Sequence, residues 1–180
     1  MLAAMDILHR PFITWIMRRV PPAKAYLDIG AGSGYASLAI LRRRRHSSVT
    51  LLDRSSAALS FAEKRLFRYR DRAAFVLGSA EALPFHESSF SAAIMLDSLY
   101  YFDADKAFAE AFRVLAAGGT LVIGDEAFDS SAVPAGIRDI ATARGIDEMI
   151  SALSRCGFLV LSSEHGKASW SCIVAVKPMC

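Results

Sequence analysis

The chain of 180 residues is 53% hydrophobic and 22% charged, enough apolar material for one well-buried domain and too much for a disordered segment. Eleven glycines and six prolines exclude a collagen-like or low-complexity chain, and no apolar run reaches the ~18 residues of a membrane span. The net charge of +3 hides an asymmetry: residues 1–75 carry 14 Lys/Arg against 5 Asp/Glu, and residues 76–180 carry 7 against 13. Solvated helix faces account for such a split, and a nucleic-acid face on the basic half is the alternative. The three cysteines, Cys156, Cys172 and Cys180, are odd in number and lack metal-ligand spacing. With no secretory leader pattern at the N-terminus, a reduced cytoplasmic setting without a membrane partner is expected.

Turn signals separate evenly spaced apolar segments. Pro11 is placed as a first-turn proline of a helix over Phe12 to Val20, which Pro21 and Pro22 end. Ala23 to Ile29 reads as a strand entering a glycine-rich turn, Gly34 to Arg44 as a helix, and Ser48 to Asp53 as a strand. Ser55 to Tyr69 reads as a helix capped by Ser55 or Ser56, followed by a short buried strand over Ala74 to Leu77. Ser91 to Leu96 is a further apolar strand. A helix over Ala104 to Leu115 aligns Ala107, Phe108, Ala111, Phe112 and Leu115 on one face, with Gly118-Gly119 as its stop. Thr120 to Gly124 is a strand and Ile146 to Cys156 a helix. Phe158 to Ser162 and Ser171 to Val176 form a closing pair of strands. The alternation predicts an α/β three-layer doubly wound sheet, mostly parallel, with an antiparallel C-terminal hairpin at one edge. A single domain over residues 1–180 is expected, the first 22 forming an N-terminal helix and residues 23–180 the core.

Asp28-Ile29-Gly30-Ala31-Gly32-Ser33-Gly34 joins the first strand to a helix whose first N–H groups lack intrahelical partners. Glycines there permit a sharp turn and close approach of a ligand to the backbone. Asp53 ends the next strand 19 residues beyond Gly34, where a carboxylate can accept both hydroxyls of a ribose. An adenosine-bearing cofactor follows. The dinucleotide spacing G-x-G-x-x-G needs glycine at position 35, which is Tyr35, so a dehydrogenase is disfavoured. Asp28 would repel a pyrophosphate and suits a ligand with an ammonium group.

On these residues the chain resembles the class I S-adenosylmethionine-dependent methyltransferases, of the small bare-core type. Asp28 to Gly34 resembles their D-x-G-x-G-x-G motif and Asp53 their ribose-binding acid. Gly78-Ser79-Ala80-Glu81-Ala82-Leu83-Pro84-Phe85 is similar to their G-D-A-x-x-L-P-F segment, with Ser79 where an acid usually meets the adenine amino group. Phe112-Arg113-Val114-Leu115 with Gly118-Gly119 resembles their R-V-L-x-x-G-G motif. The resemblance implies a seven-stranded Rossmann-like methyltransferase fold, S-adenosylmethionine as cofactor and S-adenosylhomocysteine as product. It also implies a set of cofactor contacts: Asp28, Gly30, Ala31, Gly32, Gly34, Asp53, Arg54, Ser79, Ala80 and Leu96.

Around the methyl group the candidates are Asp97, Tyr100 and Glu126. Asp97 follows the fourth strand and reads either as a substrate-orienting or proton-accepting carboxylate or as a helix N-cap. Of Asp125 and Glu126, after the fifth strand, one is expected to face the same crevice. The D/N-P-P-Y/F motif of base-modifying relatives is missing, since residues 96–100 read LDSLY. His9 and Trp15 resemble an H-x-x-L-T-x-W pattern whose helix folds over the cofactor, with His9 as base, lid or packing residue. His46, His86 and His165 lie in predicted loops and carry no assigned chemistry. Arg42 to Arg45 end a helix, where cations meet the negative end of its dipole; an RNA patch is the alternative, without interleaved aromatics to stack bases. The expected activity is methyl transfer to a small-molecule acceptor, with nucleic acid disfavoured and a homodimer open. An RNA or protein methyltransferase and a non-catalytic cofactor-binding module are the alternatives.

Overall fold

The computed structural model describes residues 10–125, 145–166 and 170–179. It contains a sheet of seven strands, β1 Ala25–Ile29, β2 Ser48–Asp53, β3 Ala73–Leu77, β4 Phe90–Leu96, β5 Leu115–Asp125, β6 Leu159–His165 and β7 Ser171–Val176. Their order is β3-β2-β1-β4-β5-β7-β6, parallel throughout except that β7 runs antiparallel to both neighbours. The α-helices among the described residues are α1 over residues 10–16, α2 Tyr35–Arg43, α3 Ser56–Arg65, α4 Ala104–Val114 and α5 Ile146–Arg155. This is the doubly wound sheet that the alternation of elements predicts, in the Rossmann-like methyltransferase form that the resemblance implies. The closing hairpin differs from a simple edge addition, because β7 inserts between β5 and β6.

Alternation along the strands sends side chains to two apolar layers. Leu27, Ile29, Ala93, Met95, Leu121 and Ile123 pack under Phe108 of α4 and Met149 and Leu153 of α5. Tyr26, Val49, Leu51, Ile94 and Val122 pack on the other face against Phe12, Ile16, Ile40 and Leu59. Where the chain turns from β1–β2–β3 to β4–β5, β1 and β4 lie side by side and their crossovers diverge. That divergence opens a crevice at the carboxyl ends of the strands.

Two local expectations need correction. β3 is an edge strand rather than a buried one: Leu77 is 62% exposed, and only β2 covers its flank. Gly118-Gly119 does not stop α4. The helix ends at Val114 because Leu115 turns extended (ψ 138°), and both glycines lie inside β5 where the pairing with β4 shifts register. The Lys177 ammonium supplies the missing C-terminal partner, donating to the carbonyls of Phe112 and Leu115 at 2.9 and 2.8 Å.

α4 is capped by Asp103, whose Oδ1 accepts the N–H groups of Asp105 and Lys106 at 3.1 and 3.3 Å. The cap is therefore Asp103, and the N-cap role considered for Asp97 falls away. Replacing Asp103→Ala should lower unfolding stability by about 1 kcal/mol in denaturant titrations. Cofactor affinity should stay within about twofold, since the capped helix end is lost while the crevice keeps its donors.

Candidate functional site

β1 ends in a turn that β2 holds in place. The N–H groups of Gly30 and Ala31 both donate to the Leu52 carbonyl, at 2.9 and 3.0 Å. Gly30 is at φ +72°, and a Cβ there would lie 2.6 Å from Ser98 Cβ, so the turn passes too close to the β4 loop for any side chain. Gly32, at φ +52°, has nothing within 4 Å of where its Cβ would be. Its bare backbone borders open space, and its N–H donates to Asp53 Oδ2 at 2.7 Å. The other carboxylate oxygen of Asp53 accepts the Ser55 N–H at 2.8 Å, while the Ser55 hydroxyl caps α3 through Ala58 N–H.

These elements border a cleft of about 440 Å³. Of the residues expected to bind a cofactor, Gly30, Gly32, Asp53, Arg54, Ser79 and Ala80 line it. Arg54 reaches over the opening to the Tyr101 carbonyl at 3.2 Å. Ser79 Oγ accepts the Glu81 N–H at 3.2 Å, so that hydroxyl is engaged with its own loop.

The remaining four lie around the lining rather than in it. Gly34 starts α2 in the left-handed region and packs on Leu51 and Ala62. Ala31 packs against the α1–α2 apolar layer. Leu96 belongs to that layer too, beside Gly124. Asp28 shares the strand face of Tyr26, which directs its carboxylate beneath α2, where Ser37 Oγ donates to Oδ2 at 2.6 Å.

Burial pushes the Asp28 carboxyl up to about 7; the Ser37 hydrogen bond opposes this and the neighbouring Asp53 charge adds to it. A buried acid of this kind favours its neutral form until a cation approaches.

Asp97 lines the cleft and sits at φ +49°, a left-handed conformation that a non-glycine residue adopts at a cost. Tyr100 faces away from the cleft lining and donates its hydroxyl to Asp125. Glu126 and His9 lie outside the described residues. Residues 10–16 of α1 pack on the sheet face and line no part of the cleft: Phe12 stands edge-on to Trp170 with centroids 5.8 Å apart, and Trp15 lies 5.9 Å from the same ring. His165 ends β6 rather than lying in a loop. Among the described residues no group of three or more His, Cys, Asp or Glu side chains is placed to hold a metal ion. No described helix is long and apolar enough to cross a membrane.

Sequence reasoning passed over Glu81, which lines the cleft and accepts the Asp103 N–H on Oε1 at 2.8 Å. The signal was its place two residues after Ser79 in the same segment.

Residues 27–123 match the family described as the methyltransferase domain. The chain belongs to that family. It is 36% identical over 120 residues to a demethylmenaquinone methyltransferase of Thermotoga maritima, covering 66% of this chain and 50% of that protein. It is 33% identical over 154 residues to a malonyl-[acyl-carrier protein] O-methyltransferase of Geobacter sulfurreducens, covering 77% and 57%. The chain thus spans about half the length of these curated relatives. In fold it superposes with a TM-score of 0.87 on a putative methyltransferase solved in complex with the Haloferax volcanii Trm112 methyltransferase activator. That similarity covers 98% of this chain and 93% of that one at 19% identity.

For the methyltransferase fold without ligand, Asp28 makes stability pH-dependent. Its folded value of about 7 lies above the 3.8 of an unstructured chain, so between these values the folded state holds a proton that the unfolded state has released. Stability therefore falls as pH rises from about 4 to 7 and levels off above, by up to roughly 4 kcal/mol on a scale of ~1.4 kcal/mol per unit. Asp28→Asn should remove most of that fall in urea denaturation at pH 5 and pH 8. An unchanged pH slope in the variant would contradict the assignment.

Proposed function

We propose that the chain is an S-adenosylmethionine-dependent methyltransferase acting on a small-molecule acceptor. The observation that carries the reading is the doubly anchored Asp53 carboxylate at the floor of the cleft, one oxygen on Gly32 N–H and the other on Ser55 N–H. Each carboxylate oxygen keeps a further lone pair, so the group can still accept two ribose hydroxyls while its orientation is fixed by the backbone. The fit extends to either side. Gly32 leaves room for a ligand chain to lie against the turn, and Ala80 and Glu81 offer a backbone and a carboxylate to the edge of an adenine ring.

When bound, the cofactor supplies an electrophilic methyl group on a cationic sulfur. The chain's own work is then positional. Gly30 and Gly32 admit the aminoacyl part, Asp53 fixes the ribose, and Asp97 stands at the reactive end to orient an acceptor in line with the methyl carbon. Asp28, Asp53, Glu81 and Asp97 make this a negative environment, suited to a ligand carrying a sulfonium and an ammonium. Relatives named for methylating demethylmenaquinone and a malonyl carrier support transfer of this kind.

A macromolecular acceptor gripped by Arg42 to Arg45 fits the geometry less well. α2 starts at the glycine turn and runs its nine residues away from it, so its arginine-rich end lies about 13 Å from the cleft at 1.5 Å per residue. Arg43 and Arg44 also bond carbonyls of their own surroundings, Ala39 and Val20.

Isothermal titration with S-adenosylmethionine should show binding to the wild type, and Asp53→Ala should weaken it by about 10- to 150-fold, the worth of one charge-assisted hydrogen bond or slightly more. Neutralising Arg42, Arg43 and Arg45 should leave the affinity within about twofold. Undiminished affinity in Asp53→Ala would refute the ribose assignment.

A further inference from the structure

Two arginine-rich stretches of the chain, 42–45 and 64–72, meet at the end of the sheet opposite the cleft. β1, β2 and β3 are parallel neighbours, so the residues that precede each strand emerge along one edge. The Ser48 N–H donates to the Lys24 carbonyl and the Val49 N–H to the Arg72 carbonyl, both at 2.9 Å. The Arg72 guanidinium clasps the two stretches together. It donates to the carbonyls of Leu41, Arg44 and Ser47 at 3.2, 2.9 and 3.0 Å. Runs that are separate in sequence are thus one surface in the fold.

The two stretches carry nine Lys/Arg and one acid, Asp71. The helix dipole accounts for Arg42 and Arg43 in the last turn of α2 and for Lys64 and Arg65 in that of α3. Arg45, Arg68 and Arg70 lie beyond those turns and are exposed, so the dipole does not explain them. Among the described residues, none of Lys24, Arg42, Arg45, Arg68 and Arg70 is in an ion pair. Their mutual repulsion is relieved by an anion from outside the chain.

Aromatic rings interleave with the arginines of the second stretch, in the order Arg65, Phe67, Arg68, Tyr69, Arg70, Arg72. Phe67 opens the short 3-10 turn Phe67–Tyr69 after α3 and is 63% exposed. The Arg70 guanidinium lies 4.7 Å from its ring centroid, and that of Arg72 lies 5.4 Å from the Tyr69 ring. Arg42 to Arg45 have no aromatic residue beside them in sequence, and folding brings these two from the end of α3. Guanidinium forks pair with phosphate oxygens two bonds at a time, and an exposed ring stacks a base. A duplex keeps its bases stacked on each other, and a lipid surface asks for a broader apolar wedge. Phe67 has no such company: Leu77, also exposed, ends β3 on the cleft side.

We propose that this end of the sheet docks single-stranded nucleic acid, with phosphates on Arg42, Arg45, Arg68 and Arg70 and one base on Phe67. The strand is a partner held by the fold and not the methyl acceptor. The cleft lies at the opposite ends of the same strands, so both sites can be filled together. No cleft residue takes part, and the proposal therefore does not rest on the methyltransferase reading. With Lys24 as a fifth cation, contact with about five phosphates gives a log–log salt slope of about −3.5, or roughly 100-fold weaker binding at about 200 mM salt than at about 50 mM.

Fluorescence anisotropy with a labelled oligouridylate of about 20 nucleotides should give a Kd of about 1–100 μM near physiological salt, with that salt dependence. Arg45→Gln combined with Arg68→Gln should flatten the slope by about 1.4. Lys106→Gln combined with Arg155→Gln removes the same charge from α4 and α5 and should leave the slope unchanged. Phe67→Ala should weaken binding about tenfold at an unchanged slope, for a lost base stack. Urea midpoints equal to that of the wild type show that the variants are folded. Equal losses in the two double variants would mean diffuse attraction to a basic protein and overturn the surface. Full affinity in Phe67→Ala, or duplex RNA bound as tightly, would overturn the single-strand assignment. Competition by S-adenosylmethionine would put the strand in the cleft and overturn the location. Stronger partition onto vesicles of equimolar phosphatidylcholine and phosphatidylglycerol, lost in Arg45→Gln/Arg68→Gln, would assign the surface to lipid instead. No binding at about 50 mM salt overturns the proposal and leaves the proposed function standing.

Discussion

The site depends on one contact, the hydrogen bond from the Gly32 N–H to the Asp53 carboxylate across 21 residues of sequence. It joins the turn after β1 to the end of β2. The same turn is pinned a second time by Gly30 and Ala31 on the Leu52 carbonyl, so both ties end on β2. Register does the rest: Ile29 stands opposite Leu52, and this pairing sets how far the turn projects beyond the sheet. Only glycine satisfies these demands at position 30, where the backbone passes against Ser98. The acid that meets a ribose is thus oriented by the backbone it helps to shape.

The acids around the crevice form an electrostatic unit rather than separate features. Asp28 lies beneath α2 and outside the cleft lining, yet its raised pKa owes part of its shift to Asp53. Glu81 and Asp97 add charge at opposite ends of the cleft, and Asp125 lies beside Asp97 at the end of β5. Such a set repels itself in the absence of a cation and is relieved by one. The arginine run at the end of α2 lies at the other pole of the sheet, where it closes a helix. The charge asymmetry visible along the chain therefore becomes, in part, a polarity across the fold.

Local, short-range features were legible in the sequence. The glycine turn, Asp53 at the end of its strand and the Ser55 cap depend on neighbours a few residues away, and the structure has them where spacing put them. Period-two alternation could also have assigned Asp28 to the Tyr26 face and Leu96 to the Ile94 face, away from the cleft lining; matching motif positions to contacts overlooked it. Burial of β3 was misjudged because its composition is apolar while its place at the sheet edge depends on strand order, which no local window contains. α4 ends where Leu115 turns extended, and its last carbonyls are met by Lys177, far along the chain, rather than by the glycines next to it. The Tyr100–Asp125 pair is likewise a product of β4 lying beside β5. Sequence reasoning marked one partner and named the other only as an alternative to Glu126.

A crystal structure of the protein grown with S-adenosylhomocysteine tests the central claim most directly. The account predicts both ribose hydroxyls within hydrogen-bond distance of Asp53, the aminoacyl chain along Gly30 and Gly32, and the sulfur nearest Asp97. A nucleoside seated elsewhere, or a crevice closed by the protein's own side chains with the ligand excluded, would contradict it.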